Sequence, residues 1–225
     1  MKISVVIPAY NEEKRIGRCL HSILDQTEKP DEIIVVDNNC IDGTDKIAQK
    51  MGAKIVKEKK QGMICARDAG FDAAQSEIIA RTDADTILPK DWISKIKKAF
   101  EDPTIGALSG PATYFGIPLI SGISNSATYT WFYVLSHILG HPAMFGPNMA
   151  LRKSVWEKTK PSVCLRDCDV HEDIDLSIHL SKVAKIKFDK DFTIWTTRGR
   201  WGRIFTEYVV RLIKMLSAHR KENLN

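Results

Sequence analysis

Short apolar runs alternate with amphipathic segments along the first half of the chain. Residues 3–7 form a nearly continuous apolar run, which is typical of a strand buried on both faces of a sheet. After Asn11, which we expect to cap a helix, apolar side chains recur at the spacing of one helical face. Further strands are predicted at residues 32–36, 54–57 and 78–80, and further helices after Asp42, at 63–74 and from Pro89 to Phe100. This alternation predicts a mostly parallel α/β sheet flanked by helices.

The second half of the chain is less regular. Residues 117–145 are apolar and aromatic, but prolines and glycines interrupt them. The elements predicted beyond this stretch are a strand at 149–151, a helix around Val155, a helix at 172–183, a strand at 186–188 and an amphipathic helix at 203–225. We therefore expect one domain with a regular first half (1–110), a smaller and less regular second half (111–202) and a C-terminal helix (203–225).

Polar side chains follow three of the predicted strands. They are Asn11 and Glu12 after the first strand, Asp37 and Asn38 after the second, and Asp83 and Asp85 after the fourth. The carboxyl ends of parallel strands form the ligand-binding edge of such sheets, so this convergence predicts a site there. The segment Pro8-Ala9-Tyr10 replaces the glycine-rich turn of a nicotinamide-binding Rossmann fold and disfavours that interpretation.

The spacing of Asp83 and Asp85 is suited to a hard divalent cation. Mg²⁺ and Mn²⁺ prefer oxygen ligands, and Mg²⁺ often takes only one or two protein carboxylates together with substrate phosphates. An Asp-x-Asp pair is weak evidence when it stands alone, because such pairs also occur in solvated loops. The pair nevertheless predicts a cation-dependent site for a nucleoside diphosphate.

The composition is that of a soluble globular domain. The 225 residues are 44% hydrophobic and 27% charged, and the net charge of +5 does not indicate a nucleic-acid partner. An odd number of cysteines, five, without a secretory signal predicts reduced thiols and a cytoplasmic location. No stretch reaches the roughly 20 apolar residues that span a bilayer.

Six segments, in this order, resemble glycosyltransferase family 2, the inverting nucleotide-sugar transferases with a GT-A fold. They are VVIPAYNEE (5–13), VVDNNCIDGT (35–44), residues 62–70, DAD (83–85), GPNMALR (146–152) and EDIDL (172–176). The resemblance covers about residues 1–200. It implies that residues 1–110 are the nucleotide-sugar-binding half and that residues 111–202 are the acceptor-binding half, which carries the catalytic base. It implies a sugar transfer from a nucleoside-diphosphate sugar to a saccharide or lipid-linked acceptor, with Mg²⁺ or Mn²⁺ as cofactor.

The resemblance also implies roles for individual residues. The positions that would contact the nucleotide sugar are Pro8, Ala9, Tyr10, Glu12, Asp37, Asn38, Arg67, Asp83, Ala84, Asp85, Arg200 and Trp201. Asp85 would be the principal metal ligand, and Asp83 would approach the metal or the ribose. Glu172 and Asp173 match the catalytic acid pair, with Asp173 as the general base.

The chain departs from the family pattern at two positions. Most relatives have a second aspartate where this chain has Asn38, which leaves the preferred base open because an amide both donates and accepts. Thr197 replaces the usual glutamine or arginine at the start of the basic motif that ends in Arg200 and Trp201.

Three other functions remain as alternatives. A sugar-phosphate nucleotidyltransferase would need a glycine-rich basic loop where residues 8–13 lie, and a haloacid-dehalogenase-type phosphatase places its Asp-x-Asp after its first strand. A silent nucleotide-sugar-binding subunit would not need both Asp85 and Asp173. His171 has two interpretations, a third metal ligand or a loop residue bonded to nearby backbone.

The apolar stretch 117–145 and the C-terminal helix also have two interpretations each. The stretch is either a second layer of the core or an apolar platform for the acceptor. The helix, which carries arginines and lysines beside its apolar face, either packs on its own domain or makes a peripheral contact with the inner face of the membrane.

Overall fold

The structure, a computed structural model, describes residues 1–114, 121–163 and 171–197. Its centre is a sheet of seven strands, and two further strands pair in a small parallel sheet. The strands are β1 (Ile3–Ala9), β2 (Glu32–Asp37), β3 (Lys54–Lys57), β4 (Ile78–Arg81), β5 (Ile105–Ser109), β6 (Ala112–Tyr114), β7 (Met149–Arg152), β8 (Lys185–Phe188) and β9 (Ile194–Thr196).

The main sheet is mostly parallel, as the sequence predicts. Its strand order is β3-β2-β1-β4-β7-β5-β8, and only β7 runs antiparallel to its neighbours. Strands β2 and β4 are the two neighbours of β1 and run parallel to it. The carboxyl ends of these three strands therefore meet at one edge of the sheet, where the sequence places Glu12, Asn38 and Asp83.

Seven α-helices surround the sheet in the part of the chain that the structure describes. They are α1 (Ile16–Leu24), α2 (Thr44–Lys50), α3 (Met63–Ala73), α4 (Trp92–Phe100), α5 (Ser121–Leu139), α6 (Lys153–Thr159) and α7 (Glu172–Ser181). The residues of β1 alternate between two hydrophobic layers. Val5 and Ile7 face a core with α1, α2 and α4, whereas Val6 faces a core with α3, α6 and α7. Burying each large aliphatic side chain contributes about 1.5–3 kcal/mol, so these layers hold the sheet edge in place.

Two local predictions from the sequence are wrong. Asn11 does not cap α1, which begins at Ile16. It adopts φ 56° and its side-chain oxygen accepts a hydrogen bond from the backbone N–H of Ile41 at 2.9 Å. Residues 117–145, which the sequence predicts to be less regular, contain the 19-residue helix α5 (Ser121–Leu139), and Pro118 and Pro142 lie outside its bounds.

The short sheet of β6 and β9 lies beside the loop that follows β4. The backbone N–H of Ile87 donates to the carbonyl of Trp195 at 2.7 Å, and the N–H of Trp195 donates back to Ile87 at 3.0 Å. The loop that carries Asp83 and Asp85 is therefore attached to β9. In the described segments, every helix falls short of the length and apolar character needed to cross a membrane.

Candidate active site

A pocket of about 350 Å³ opens at the carboxyl ends of β1, β2 and β4. It brings together eight of the residues that the sequence predicts for the nucleotide sugar: Pro8, Ala9, Tyr10, Glu12, Asn38, Asp83, Ala84 and Asp85. The start of α3 closes the pocket with Gln61, Gly62, Met63 and Ala66. Gln61 and Met63 are not predicted from the sequence as individual site residues, because nothing in their side chains distinguishes them from ordinary loop positions.

The first loop of the pocket presents an exposed aromatic ring. Tyr10 follows β1 directly and is 53% exposed. The Arg15 guanidinium donates to the Glu12 carboxylate at 2.9 Å. Asp37 lies next to the pocket at the end of β2, where its carboxylate accepts the backbone N–H of Cys40 at 2.8 Å. Tyr10 and Glu12 therefore line the pocket with an aromatic ring and a carboxylate, whereas Asp37 is not among the residues that line it.

Asn38 organises the loop that forms one wall of the pocket. Its side-chain nitrogen donates to the carbonyls of Glu58 at 3.0 Å and Lys60 at 2.8 Å. Its side-chain oxygen accepts the backbone N–H of Gly62 at 2.9 Å and the Gln61 amide at 3.2 Å. Both kinds of group on the Asn38 amide are therefore engaged by residues 58–62. An aspartate could not make the two donations, which gives a physical reason for the amide at this position.

Asp83 and Asp85 lie on the floor of the pocket. One oxygen of Asp83 accepts a weak hydrogen bond from Arg81 at 3.4 Å. Burial raises the pKa of Asp83 to about 6, and the negative charge of Asp85 adds to the rise while Arg81 opposes it. The Asp85 carboxylate accepts hydrogen bonds from the hydroxyls of Thr196, at 3.4 Å, and Thr197.

These two carboxylates fit a divalent cation. Their mutual repulsion contributes to the raised pKa of Asp83, and a cation between them would relieve it. Among the residues that the structure describes, no three His, Cys, Asp or Glu side chains are grouped closely enough to hold a metal ion. The donor set therefore fits a cation that shares its coordination with the phosphates of a bound ligand.

Glu172 joins two buried arginines behind the pocket. Its Oε1 accepts hydrogen bonds from Arg81 at 2.5 Å and from Arg67 at 3.0 Å. Arg67 is fully buried and also pairs with Asp68 at 2.8 Å, so its guanidinium is engaged by carboxylates. Burial opposes ionisation of Glu172, but the charges of Arg81 and Arg67 outweigh it and lower the pKa of Glu172.

Asp173, the second residue of α7, follows Glu172 directly but has different surroundings. One oxygen accepts the backbone N–H of Gly146 at 3.1 Å. Burial raises the pKa of Asp173, and the neighbouring charge of Glu172 raises it further. The Gly146 backbone also lies against Arg81, because a Cβ added at Gly146 would be 3.3 Å from the guanidinium. Gly146 thus lies between Asp173 and the arginine that reaches Asp83.

Several site residues are apparent only in three dimensions. The structure adds Arg81, Gly146, Thr196 and Thr197 to the groups around the acids. Three of them have a signal in the sequence: Arg81 is a cation at the end of a buried strand, which needs an acidic partner, Gly146 begins the GPNMALR segment, and Thr197 begins the basic motif. The predicted residues Arg200 and Trp201 and the predicted helix 203–225 lie outside the described residues.

Comparison with known proteins identifies similar sequences. The family model described as "Glycosyl transferase family 2" matches residues 4–156. The chain is 28% identical over 138 residues to a dolichyl-phosphate hexose transferase of Haloferax volcanii, which covers 61% of this chain and 60% of that protein. It is 32% identical over 101 residues to the glycosyltransferase AglE of the same organism, which covers 41% of this chain and 33% of that protein. The chain thus spans about a third to three fifths of these relatives.

Solved structures with the same architecture are also similar. The mannosyltransferase PcManGT from Pyrobaculum calidifontis, in complex with GDP-Man and Mn²⁺, has a TM-score of 0.75 at 21% identity and covers 98% of this chain and 64% of its own. The TarS protein of S. aureus, in complex with UDP-GlcNAc, has a TM-score of 0.68 at 20% identity and covers 88% of this chain and 59% of its own. These similarities confirm the predicted GT-A-type fold.

Proposed function

The chain belongs to glycosyl transferase family 2, and from this premise we propose that it is a cation-dependent, inverting hexosyltransferase. It would move a sugar from a nucleoside-diphosphate sugar to a saccharide or a lipid-linked acceptor. The observation that carries the proposal is the placement of the pocket aspartates relative to Asp173. Asp83 and Asp85 line the pocket, and Asp173 is linked to them through Gly146 and Arg81.

The pocket residues provide complementary groups for a nucleotide sugar. The exposed ring of Tyr10 offers an apolar face for the base, and the carboxylate of Glu12 offers acceptors for hydroxyl or ring N–H groups. Asp37, beside the pocket at the end of β2, would add a further acceptor. Pro8 and Ala9 extend this wall. Because the Asn38 side chain is hydrogen-bonded to residues 58–62, we propose that Asn38 holds the pocket wall in place. Neighbouring groups would then form the hydrogen bonds that select the base.

Asp85 and Asp83 would hold Mg²⁺ or Mn²⁺ against the diphosphate of the donor. When bound, the cation supplies positive charge that stabilises the departing nucleoside diphosphate. The complex of PcManGT with GDP-Man and Mn²⁺ supports this part of the proposal. In this scheme Arg67 acts from behind the pocket through Glu172, since its guanidinium is already paired. Arg200 and Trp201 retain the diphosphate-facing role that the family resemblance implies.

Asp173 is the residue that we propose as general base. A raised pKa makes its carboxylate a better proton acceptor than an ordinary aspartate, and the hydrogen bond from Gly146 fixes its orientation. It would take the proton of the acceptor hydroxyl while that oxygen attacks the anomeric carbon from the side opposite the diphosphate, which inverts the configuration. Glu172 is a poorer base, because two guanidinium groups lower its pKa, and it would position Arg81 and Arg67.

The acceptor class remains a saccharide or a lipid-linked group in this proposal. Similarity to a dolichyl-phosphate hexose transferase supports the lipid-linked choice. Helix α5 supports it too, because Tyr133, Val134 and Ile138 are exposed on it and offer apolar surface. An ionised phosphate acceptor would not need a base, and Asp173 would then position it.

We keep a cytoplasmic location in the proposal, which the thiols of Cys19 and Cys40 support. The proposal also keeps a peripheral membrane contact through residues 203–225.

A donor screen tests the proposal. Thermal unfolding is measured with UDP-, GDP- and dTDP-sugars, each with and without Mn²⁺ or Mg²⁺. We expect one donor class to raise the Tm only with the cation, by the stabilisation that ligand binding gives to the folded state. Asp85→Ala should lose this shift. A donor that binds equally well without a cation would contradict the metal assignment.

Product analysis separates the alternative functions. A transferase releases a nucleoside diphosphate when the acceptor is added, whereas a nucleotidyltransferase releases pyrophosphate from a nucleoside triphosphate and a sugar phosphate. A silent binding subunit shows the cation-dependent Tm shift but releases neither product with any acceptor fraction.

A further inference from the structure

Strand β9 and the segment after it are attached to the loop that carries the acid pair of β4. Two backbone hydrogen bonds join Ile87 and Trp195, and the hydroxyls of Thr86 and Thr196 lie 3.5 Å apart. These contacts span more than a hundred positions of sequence, from residue 86 to residue 196. They bring the side chains of Thr196 and Thr197 next to Asp85.

Two consecutive threonines bond to the two oxygens of Asp85. The buried hydroxyl of Thr196 donates to Oδ1 at 3.4 Å, and the hydroxyl of Thr197 donates to Oδ2. Each carboxylate oxygen has two lone-pair positions, so a hydrogen bond on one leaves the other available to a cation. The two donors together restrict rotation of the carboxylate.

We propose that Thr197, assisted by Thr196, is a positioning residue that holds Asp85 in the orientation needed for the divalent cation. This inference rests on the proposed function. A donor that fixes a metal-ligating carboxylate raises the affinity for the metal, because the ligand does not have to be ordered when the metal binds. A hydroxyl one carbon from the backbone reaches only its immediate neighbour. Threonine at this position therefore serves Asp85, whereas the glutamine or arginine of the family pattern is long enough to reach a substrate.

Substitutions at Thr197 test the positioning role by direct metal binding. The Kd of Mn²⁺ is measured by electron paramagnetic resonance, with UDP or with GDP as the nucleotide probe. Thr197→Val is nearly isosteric but cannot donate, and we expect it to raise the Kd about 10- to 100-fold. Thr197→Ser keeps the hydroxyl and should retain the wild-type Kd. Thr193→Val removes a hydroxyl that donates to Lys190, away from Asp85, and is the matched control.

Folding effects are separated by a second variant and a second measurement. Thr197→Ala also lacks the donor but avoids the extra methyl group of valine, so it should weaken Mn²⁺ binding like Thr197→Val. The Tm of each variant, measured in EDTA so that no metal is bound, shows whether the substitution destabilises the fold around β9. If Thr197→Val and Thr197→Ala keep the wild-type Kd of Mn²⁺, the inference is overturned, even if transfer is slower.

Asp85→Asn distinguishes failure of this inference from failure of the proposed function. If Asp85→Asn loses Mn²⁺ binding and the Thr197 variants keep it, only the positioning role is wrong. If Asp85→Asn also keeps Mn²⁺ binding, the cation site itself is wrong, and both proposals fall.

Discussion

Glu172 and Asp173 are adjacent in sequence but have opposite electrostatic surroundings. Glu172 faces two guanidinium groups that lower its pKa against the effect of burial. Asp173 is buried beside the charge of Glu172, and both effects raise its pKa. When neighbouring carboxylates have pKa values pushed apart, the one with the raised value is suited to proton transfer. Asp173 is therefore suited to act as the base, whereas Glu172 is suited to hold the two arginines.

The pH dependence of transfer should report the state of Asp173. A base acts only when unprotonated, so kcat/KM should be full above the pKa of Asp173 and fall as pH drops through it. Because this pKa is raised, the fall should begin at a higher pH than for an ordinary aspartate. Glu172→Gln removes a charge that raises the pKa, so the fall in the remaining activity should move to lower pH.

Asp173→Asn is the companion variant for this pH profile. It should abolish transfer to a hydroxyl acceptor and leave cation-dependent donor binding intact. A wild-type transfer rate in Asp173→Asn would show that this residue is not the base. An unchanged pH profile in Glu172→Gln would show that the two carboxylates are not coupled.

Asn38 gives a test of how the pocket wall is built. Asn38→Asp loses two donations and brings a carboxylate close to the carbonyls of Glu58 and Lys60. We expect a loss of stability of about 1–3 kcal/mol and weaker donor binding, since a buried polar group is left without its partner. Urea unfolding and the donor Tm shift measure the two effects. Asn39→Asp is the control, because Asn39 donates to the same loop, at the Lys59 carbonyl, but is exposed, so water can replace the lost hydrogen bond. Equal losses of stability and donor binding in the two variants would contradict the role of Asn38 in holding the pocket wall.

At the scale of elements, helix α3 brings its first turn to the pocket because it packs closely on the sheet. Gly70 makes this approach possible. A Cβ added there would lie 2.3 Å from Val6 Cγ1 and 2.8 Å from Val36 Cγ2. Neither distance is compatible with a side chain at that position. The small residue therefore determines the position of the pocket wall at Gly62 and Met63.

Gly70→Ala should push α3 away from the sheet. We expect a loss of about 1–3 kcal/mol in the free energy of unfolding, which is typical of an overpacked core, and weaker donor binding through the displaced first turn. Gly17→Ala is the matched control in α1, where the nearest atom to a Cβ is 3.9 Å away. That change should be neutral or stabilising, because alanine favours helix. Similar costs for both variants would show that helix packing at Gly70 is not tight.

The element predictions succeed where a run of apolar residues alternates with an amphipathic face. The strands β1 to β4 and the helices between them follow from this alternation. Strands β6 and β9 have three residues each, too few to show a period, and β5 was not predicted either. Helix α5 was missed because Pro118 and Pro142 flank it and its apolar residues are not confined to one face.

At the scale of the whole molecule, buried ion pairs connect the carboxyl end of β4 with α7. Arg81 contacts Glu172 and Asp83, and Glu172 also accepts from Arg67 on α3. These contacts join segments that are about ninety residues apart. They hold the proposed base in a constant position relative to the pocket. The predicted division at residues 110 and 202 remains a prediction, although the main sheet includes strands from both sides of residue 110.

Arg81→Leu should be strongly destabilising. It leaves the buried Glu172 with one of its two cations, and removing one partner of a buried pair costs about 3–5 kcal/mol. Arg15→Ala is the control, because it removes an exposed pair with Glu12 that contributes about 0–1 kcal/mol. Urea unfolding of both variants measures the difference. Equal losses would contradict a structural role for the buried pairs.

The sequence by itself determined the family, the parallel sheet and the acids at the strand ends, because apolar periodicity and short motifs are local properties. It also predicted eight residues that line the pocket, since parallel neighbouring strands bring their carboxyl ends together. Only the tertiary structure decided which groups surround each acid. Arg81 beside Glu172, Gly146 beside Asp173 and Thr197 beside Asp85 are contacts between distant segments, and no local pattern records them. The role of a carboxylate depends on its burial and on the charges beside it, and both of these depend on how distant segments pack together.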